Sequence, residues 1–299
     1  MSRNSLGPDF IGIGAMKSAS GWIFKSLRQH PEVSDKNMKE QYFFNKTYNY
    51  RKGINSYYSI FSKSPKGKIK GEFTPSYMLS PQVPQLIHKH LPNVKIIACL
   101  RNPAERAYSD YRYNLQEKGR FKLYKDFEDV IKNDKDFVDR GLYFKQLKEY
   151  FELFPRENIL ILFHEDLKKD PTEFIQGIYK FLGLKDTNFI PPLANRKLSI
   201  TGSYIIKYKF PLINSLTYWL NLRLGNESKL KRTIDKIGIE RYLIKLKYYN
   251  RTKIIGKNEK VFSVPPFKQS TRGYLLNQVY NDDIHELQNL LHKDLSFWK

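Results

Sequence analysis

Short apolar segments alternate with longer amphipathic ones along the first 190 or so residues of the chain. Phe10–Gly14, Val94–Leu100 and Ile159–Phe163 are short and nearly continuous apolar runs, a pattern typical of buried strands. Each run is followed by a loop and then by apolar residues at helical spacing. Because parallel strands joined by helices are covered on both faces, this order predicts an α/β fold with a P-loop-like central parallel sheet flanked by helices.

Turn and cap residues set the limits of the predicted helices. The first helix is predicted over 20–30 and the second over 103–117, with a proline at its first position. The third is capped by Asp170 and ends at Gly183. Helical spacing also occurs in three intervening stretches, at 48–61, 81–91 and 140–154.

The pattern becomes less regular after Pro192. Basic and aromatic stretches there predict further helices at 204–224, 229–249, 271–280 and 282–291. We therefore predict one domain over 1–299. Its α/β core covers 8–192, and a basic, mostly helical carboxy-terminal portion covers 193–299.

The chain is strongly basic. It contains 52 Lys and Arg against 30 Asp and Glu, a formal net charge of +22, and 40% of its 299 residues are hydrophobic, which argues against disorder. Such a charge favours anionic partners, among them nucleic acid, anionic lipid, acidic polysaccharide and phosphorylated cofactors. A non-catalytic nucleic-acid-binding protein is one hypothesis, but the basic residues are spread along the chain without a recognised motif. We therefore expect no nucleic-acid partner.

Other classes are excluded by single features. One cysteine, Cys99, rules out an internal disulfide framework and a thiolate-rich zinc site, and its apolar surroundings indicate a small buried side chain. No apolar stretch reaches the roughly 20 residues of a membrane span. The first residues lack the apolar region of a signal peptide, so a cytoplasmic protein is expected, with peripheral membrane contact and oligomeric state left open.

The loop after the first strand is the first candidate for anion chemistry. Small residues before a helix let backbone N–H groups converge on a phosphate, and the helix dipole favours negative charge there. Lys17 adds a mobile positive charge, and Ser18 and Ser20 add hydroxyl donors. A turn in which Ser20 merely caps the helix explains the loop equally well.

A second cluster follows the second strand. Arg101 ends that strand, and Arg106 and Ser109 follow in the next helix. Arg101 could hold a phosphate through two parallel hydrogen bonds while Ser109 donates to another oxygen of the same group. Two separate anion sites indicate a doubly phosphorylated nucleotide, although this spacing alone is also typical of a helix surface with salt bridges.

A metal-dependent small-molecule kinase is the alternative enzyme. Such an enzyme would have glycine directly before the loop lysine, where this chain has Met16, and a carboxylate where it has Arg101. Glu165 and Asp166 after the third strand keep the kinase open, but hydrogen bonds to neighbouring backbone explain them as well. His88 and His90 would point to different faces of a helix, and we predict no metal site.

Taken together, these motifs resemble those of sulfotransferases that use 3′-phosphoadenosine 5′-phosphosulfate (PAPS), nearest to the heparan-sulfate and bacterial carbohydrate branch. The 5′-phosphosulfate loop of that family, Lys-x-Gly-Thr-Thr, is matched by 17–21, with Ala19 and Gly21 as departures. The 3′-phosphate motif Arg-x-Pro-x-x-Arg-x-x-Ser is matched without a gap by 101–109. Similar segments also occur at 39–44, 51–58, 71–77, 270–275 and 294–298.

The resemblance implies roles for particular residues. Contacts to the nucleotide are expected from Lys17, Ser18, Ala19, Ser20, Gly21, Trp22, Arg101 and Ser109. Glu40 is the implied general base, although an ion pair with Lys39 is its simpler role, and Lys17 is implied to stabilise the departing 5′-phosphate. The product would be 3′,5′-adenosine bisphosphate, formed without a metal. The acceptor would be a hydroxyl or amine, expected on a carbohydrate or a lipid-linked sugar.

Two further interpretations concern neighbouring residues. Trp22 lies close to the adenine or packs in the core, and packing is the preferred role. Glu72, Thr74 and Tyr77 shape the acceptor site, or belong to a turn held by Thr74 and Pro75.

Overall fold

The computed structural model describes residues 6–36, 38–116, 124–194, 205–208, 251–254 and 266–299. Two compact units divide the chain. The first comprises the described parts of Met1–Ala107, Asp136–Leu198 and Lys268–Lys299, and the second those of Tyr108–Lys135 and Ser199–Phe267. The single-domain organisation and its boundary near residue 192 stay predictions.

Five parallel strands form the sheet of the first unit. They are β1 (Phe10–Gly14), β2 (Met38–Lys39), β3 (Gly71–Phe73), β4 (Lys95–Leu100) and β5 (Ile159–Phe163). The strand order is β2-β3-β1-β4-β5, with Phe10 opposite Gly71 on one side and Lys95 on the other. The predicted central parallel sheet is confirmed, as are its three apolar strands. Strands β2 and β3 are additional, and both are too short to show an apolar pattern.

Helices precede, separate and follow these strands along the chain. Along the chain they are α1 (Ser20–Leu27), α2 (Thr47–Tyr50), α3 (Ile54–Tyr58), α4 (Val83–His90), α5 (Pro103–Gln116), α6 (Phe127–Asn133), α7 (Lys135–Asp139), α8 (Tyr143–Leu153), α9 (His164–Lys169), α10 (Pro171–Leu182), α11 (Gln269–Tyr274) and α12 (Asn281–Leu291). Short 3-10 segments lie at Tyr77–Leu79, Arg156–Asn158 and Ser296–Trp298, and a π-helical segment at Leu275–Val279. All three helices predicted after the apolar strands are present, and the predicted 48–61 stretch is divided into α2 and α3.

Two short strands belong to the second unit. Ile205–Tyr208 (β6) pairs antiparallel with Arg251–Ile254 (β7). The helix predicted over 204–224 is therefore wrong at its beginning, because β-branched Ile205 and Ile206 are accommodated in a strand pair that periodicity alone does not reveal. The rest of that helix and the one predicted over 229–249 lie outside the described residues.

The strand order creates a topological switch point between β1 and β4. After β1 the chain builds β2 and β3 on one side of it, and then crosses to build β4 and β5 on the other. In open parallel sheets, ligands bind in the crevice beyond the carboxyl ends of the strands at such a point. The loop carrying Lys17 follows β1 and Arg101 follows β4, so this loop and Arg101 both lie at the carboxyl ends of the strands that flank this crevice.

Close packing of aromatic rings holds α1 against the sheet. Phe73 is fully buried and contacts Phe10 and Phe24 edge to face, at ring-centroid distances of 6.1 and 6.3 Å. A Cβ atom at Gly12 would overlap the Phe73 ring, so only glycine allows this ring to lie across β1. The first loop is thereby anchored at both ends to the core.

Within the described residues, none of the helices combines the length and apolar character needed to cross a bilayer.

Replacing Asp170 by alanine is expected to lower the free energy of unfolding by about 1 kcal/mol. Its side chain caps α10 by accepting hydrogen bonds from the backbone N–H groups of Thr172 and Glu173, at 2.8 and 3.0 Å. Denaturant titration of Asp170→Ala beside Asp170→Asn, which keeps an acceptor oxygen, measures the effect. Equal stability of the alanine variant and the unaltered chain would contradict the capping role.

Candidate active site

The loop between β1 and α1 is a tight, left-handed turn. Lys17 and Ala19 have φ angles of 67° and 66°, which non-glycine residues adopt at a cost. The carbonyl of Ala19 accepts the N–H groups of Trp22 and Ile23 at 2.8 and 3.1 Å, which starts the helix. These backbone angles hold the loop in a curved conformation before the amino terminus of α1.

Groups suited to an anion occupy this loop. Ser18 is fully buried, and no residue in the described part of the chain bonds its hydroxyl. A buried hydroxyl without a protein partner can bond a ligand or a water molecule. The first turn of α1 carries no acidic residue, and Ser20 there is also buried. These features are compatible with an anion at the loop, and the predicted contact with a phosphate stays a prediction.

Arg101 connects the two predicted phosphate sites. Its Nη1 donates to the carbonyl of Lys17 at 3.4 Å, and its Nη2 lies 3.6 Å from Oε2 of Glu105. Its Nε is buried without a partner among the described residues. Burial lowers the pKa of Arg101 while Glu105 opposes that change, and a guanidinium stays charged at neutral pH. A buried cation with an unused N–H beside the loop is suited to a second anion.

The backbone behind Arg101 is fixed by residues that follow β5. Oε1 of Glu165 accepts a hydrogen bond from the N–H of Asn102 at 3.0 Å, which confirms the interpretation that Glu165 bonds to neighbouring backbone.

Burial and the charge of Arg101 lower the pKa of His164 to about 3, so its ring is neutral at physiological pH. Among the described residues there is no group of three or more His, Cys, Asp or Glu side chains that could hold a metal ion.

The two later members of the arginine motif differ in their surroundings. Arg106 is fully buried, donates to the carbonyl of Phe137 at 3.2 Å and lies 5.6 Å from its ring centroid. Arg106 therefore stabilises the packing of α5. Ser109 is buried in the part of α5 that belongs to the second unit, and its contact with a 3′-phosphate stays a prediction.

Glu40 lies directly after β2, at the carboxyl edge of the sheet. Its N–H donates to the carbonyl of Phe73 at 2.7 Å, and its φ of 59° is left-handed. Its Oε1 lies 3.2 Å from Nζ of Lys39, and its Oε2 accepts the hydroxyl of Tyr42 at 2.8 Å. The carboxylate remains about 38% exposed, so a substrate can reach it.

Lys39 places this carboxylate close to the first loop. A Cβ atom built on Gly21 would lie 3.5 Å from Nζ of Lys39, so the ammonium lies beside the first turn of α1. Glu40 therefore forms the predicted ion pair with Lys39, and its role as the general base stays a prediction. Lys39 and Tyr42 were not predicted as site residues, because their roles depend on the local left-handed backbone.

Glu72, Thr74 and Tyr77 are fully buried, so they do not contribute to the exposed surface of the site, and the N–H of Tyr77 donates to the carbonyl of Thr74 at 2.9 Å, as expected of the alternative turn. That these residues shape an acceptor site stays a prediction. Glu72 accepts hydroxyl hydrogens from Thr74 and Tyr57, each at 2.6 Å, and from Tyr77 at 3.0 Å. Burial raises the pKa of Glu72, although the hydrogen bonds that it accepts lower this pKa in part. Burial and the charge of Glu72 raise the pKa values of Tyr57 and Tyr77 well above their usual range. The tyrosine hydroxyls therefore remain protonated donors.

Trp22 and Cys99 have packing roles. The Trp22 ring is 8% exposed and meets Phe174 edge to face at 6.0 Å, in the core cluster that also contains Cys99. Burial raises the pKa of the Cys99 thiol well above its usual range. The preferred interpretations, core packing for Trp22 and a small buried side chain for Cys99, agree with these positions.

Similarity to a known family model shows which family of proteins carries this site. The family model described as the sulfotransferase domain matches residues 7–195, which include β1 to β5 and both candidate phosphate sites. The chain belongs to the sulfotransferase family. The match confirms the resemblance carried by the loop after β1 and the arginine motif after β4.

Two similar proteins are mammalian enzymes. This sulfotransferase is 30% identical over 183 residues to human heparan sulfate glucosamine 3-O-sulfotransferase 6, covering 60% of this chain and 53% of the relative. It is 31% identical over 186 residues to mouse heparan sulfate glucosamine 3-O-sulfotransferase 5, covering 59% and 54%. The chain thus spans about half the length of the curated relatives it matches.

A solved bacterial structure has the same fold. The sulfotransferase from Alicyclobacillus acidocaldarius aligns with a TM-score of 0.59 at 20% identity, covering 97% of this chain and 98% of that one. The likeness confirms the predicted fold class.

Proposed function

We propose that this sulfotransferase transfers the sulfuryl group of PAPS to a hydroxyl group of a saccharide. The observation that most supports this is the convergence of three predicted groups at one edge of the sheet. Arg101 contacts the Lys17 loop, and Lys39 joins Glu40 to the first turn of α1. Cations for a nucleotide and a base for an acceptor therefore lie at the same crevice.

The loop and Arg101 fit the two phosphate ends of the donor. Ser18 and the backbone N–H groups at the start of α1 would hold the 5′ end, while Arg101 would hold the 3′-phosphate. When bound, PAPS supplies the sulfuryl group and leaves as 3′,5′-adenosine bisphosphate. Lys17 would stabilise the negative charge that builds on the bridging oxygen as the bond to sulfur breaks.

Glu40 is suited to remove the acceptor proton. Its Oε2 is oriented by the Tyr42 hydroxyl and its Oε1 by Lys39, so the carboxylate has a defined position at the mouth of the crevice. Proton transfer by a positioned base typically contributes about 10²- to 10⁴-fold in rate. A hydroxyl that attacks sulfur must lose its proton, and Glu40 would take it.

An anionic saccharide is the acceptor that the chain fits best. Both relatives are named for O-transfer to glucosamine in heparan sulfate, which favours a hydroxyl over an amine. The net charge of +22 would attract a polyanion electrostatically. Lys39 adds a partly exposed ammonium directly beside Glu40. A lipid-linked acceptor and a cytoplasmic location stay predictions.

We expect the protein to bind 3′,5′-adenosine bisphosphate in the presence of a metal chelator, because its phosphate groups would be held by protein cations. Arg101→Gln is expected to weaken this binding about 10- to 100-fold, since hydrogen bonds to a charged group are lost. Isothermal titration calorimetry measures both effects. Arg156→Gln is the matched control, because Arg156 lies before the amino end of β5 and donates to the carbonyl of Ile159.

The same titration tests the kinase alternative. Binding of ATP that requires Mg²⁺, without affinity for the adenosine bisphosphate, would contradict the proposed function. Equal losses in Arg101→Gln and Arg156→Gln would remove Arg101 from the nucleotide site.

A further inference from the structure

A buried hydrogen-bond network lies directly behind the segment that carries Glu40. The Tyr77 hydroxyl, which donates to Glu72, itself accepts the N–H of Phe43 at 2.9 Å and that of Phe44 at 3.4 Å. The backbone of Gln41 also hydrogen-bonds Glu72. Glu72 is thus connected directly to the backbone of Gln41, and through Tyr77 to the backbone of Phe43 and Phe44 in the segment after Glu40.

The segment needs such support because its backbone is unfavourable. Glu40 and Tyr42 have φ angles of 59° and 52°, in the left-handed region that non-glycine residues rarely adopt. Conformations of this kind persist where surrounding contacts hold them. The left-handed angle at Tyr42 accompanies the hydrogen bond from its hydroxyl to Oε2 of Glu40. Loss of the contacts behind the segment would therefore release the Glu40 carboxylate from its position.

Burial makes the network sensitive to single atoms. Glu72, Tyr57 and Tyr77 are all fully buried, so a donor or acceptor that loses its partner there finds no water in its place. The two carboxylate oxygens of Glu72 accept hydrogen bonds from three hydroxyl groups and from the backbone of Gln41. An amide of the same size has one acceptor oxygen, so Glu72→Gln cannot satisfy the same donors.

We propose that Glu72 is a positioning residue, which acts through Tyr77 and the backbone of residues 41–44 to hold the Glu40 carboxylate at the crevice. This inference rests on the proposed function, in which Glu40 is the general base, and it assigns to Glu72 the role of holding Glu40 in position. Glu72 does not touch a substrate, because it is closed off from solvent.

The first test measures the segment itself. Amide hydrogen exchange of residues 40–45 is compared in Glu72→Gln, Tyr77→Phe and the unaltered chain. Exchange about tenfold or more faster in both variants is expected, because the amides of Phe43 and Phe44 lose their ordered acceptor. Tyr58→Phe is the matched control, since the Tyr58 hydroxyl donates to the carbonyl of His90, outside the network. Unchanged exchange in Glu72→Gln and Tyr77→Phe would overturn the proposal.

The second test separates positioning from general damage. Both network variants are expected to lower kcat about 10- to 100-fold, as displacement of a catalytic group does, while the Kd for 3′,5′-adenosine bisphosphate changes less than about twofold. Parallel losses of kcat and of nucleotide affinity would indicate a merely structural role and overturn the proposal. If Glu72→Gln fails to fold, Tyr77→Phe decides, and failure of both to fold also overturns it.

The two tests also separate this inference from the proposed function. A wild-type chain that neither binds the bisphosphate nor turns over PAPS would contradict the sulfotransfer proposal. The exchange measurement would still determine whether Glu72 holds the segment after Glu40.

Discussion

Replacing Glu40 by glutamine is expected to reduce sulfuryl transfer about 10²- to 10⁴-fold while the affinity for 3′,5′-adenosine bisphosphate stays within about twofold. The amide keeps the size of the side chain and can still accept from Tyr42, but it cannot take a proton from the acceptor. Single-turnover transfer from radiolabelled PAPS measures the rate, and calorimetry measures the affinity.

A matched variant controls for the loss of one surface charge. Glu152→Gln changes an exposed carboxylate on α8, which lies 3.9 Å from Lys148, and should leave both quantities unaltered. If Glu40→Gln turns over at the wild-type rate, the base must be another group. The ion pair with Lys39 would then be the whole role of Glu40.

Replacing Lys17 by glutamine is expected to lower kcat about 10²- to 10³-fold, the range typical for removal of one preorganised group that stabilises transition-state charge. Glutamine is similarly unbranched, so the left-handed backbone at φ 67° costs about the same in both side chains. The loss should be larger in kcat than in bisphosphate affinity, because the charge on the bridging oxygen grows during transfer. Steady-state kinetics with varied PAPS separates the two effects.

Lys25→Gln is the control for this variant. Lys25 is exposed in the last turn of the same helix, α1, away from the loop. Similar kinetics for the two lysine variants would assign the effect to net charge and contradict a direct role for Lys17.

The central part of the fold could be predicted because its strands are long and apolar. β1, β4 and β5 are each five or six residues long and nearly all apolar, so their continuous apolar runs reveal them. β2 and β3 are two and three residues long, and β3 contains the charged Glu72, so their place in the sheet depends on pairing with distant segments. Pairing between distant segments leaves no periodic signal in a single sequence.

The residues of the candidate site also differ in whether the sequence reveals them. Lys17 and Arg101 could be predicted because a strand, a loop and a helix follow one another in the chain and carry recognisable motifs. The network around Glu72 could not, since it joins Tyr57, Tyr77 and the backbone of Phe43 across more than thirty residues. From the sequence, Glu72 either shapes the acceptor site or belongs to a turn held by Thr74 and Pro75, and its full burial is visible only in the fold.

β2 is an edge strand of the sheet, and its position affects how the residues around Glu40 can be exchanged between related sulfotransferases. Lys17 and Arg101, the candidate nucleotide-binding residues, follow the interior strands β1 and β4, whereas Glu40 follows a two-residue strand with a neighbour on one side only. The residues after Glu40 are held from behind by Glu72 on β3 and by Tyr77. An exchange of this stretch between related enzymes would therefore have to carry the matching residues around Glu72 with it.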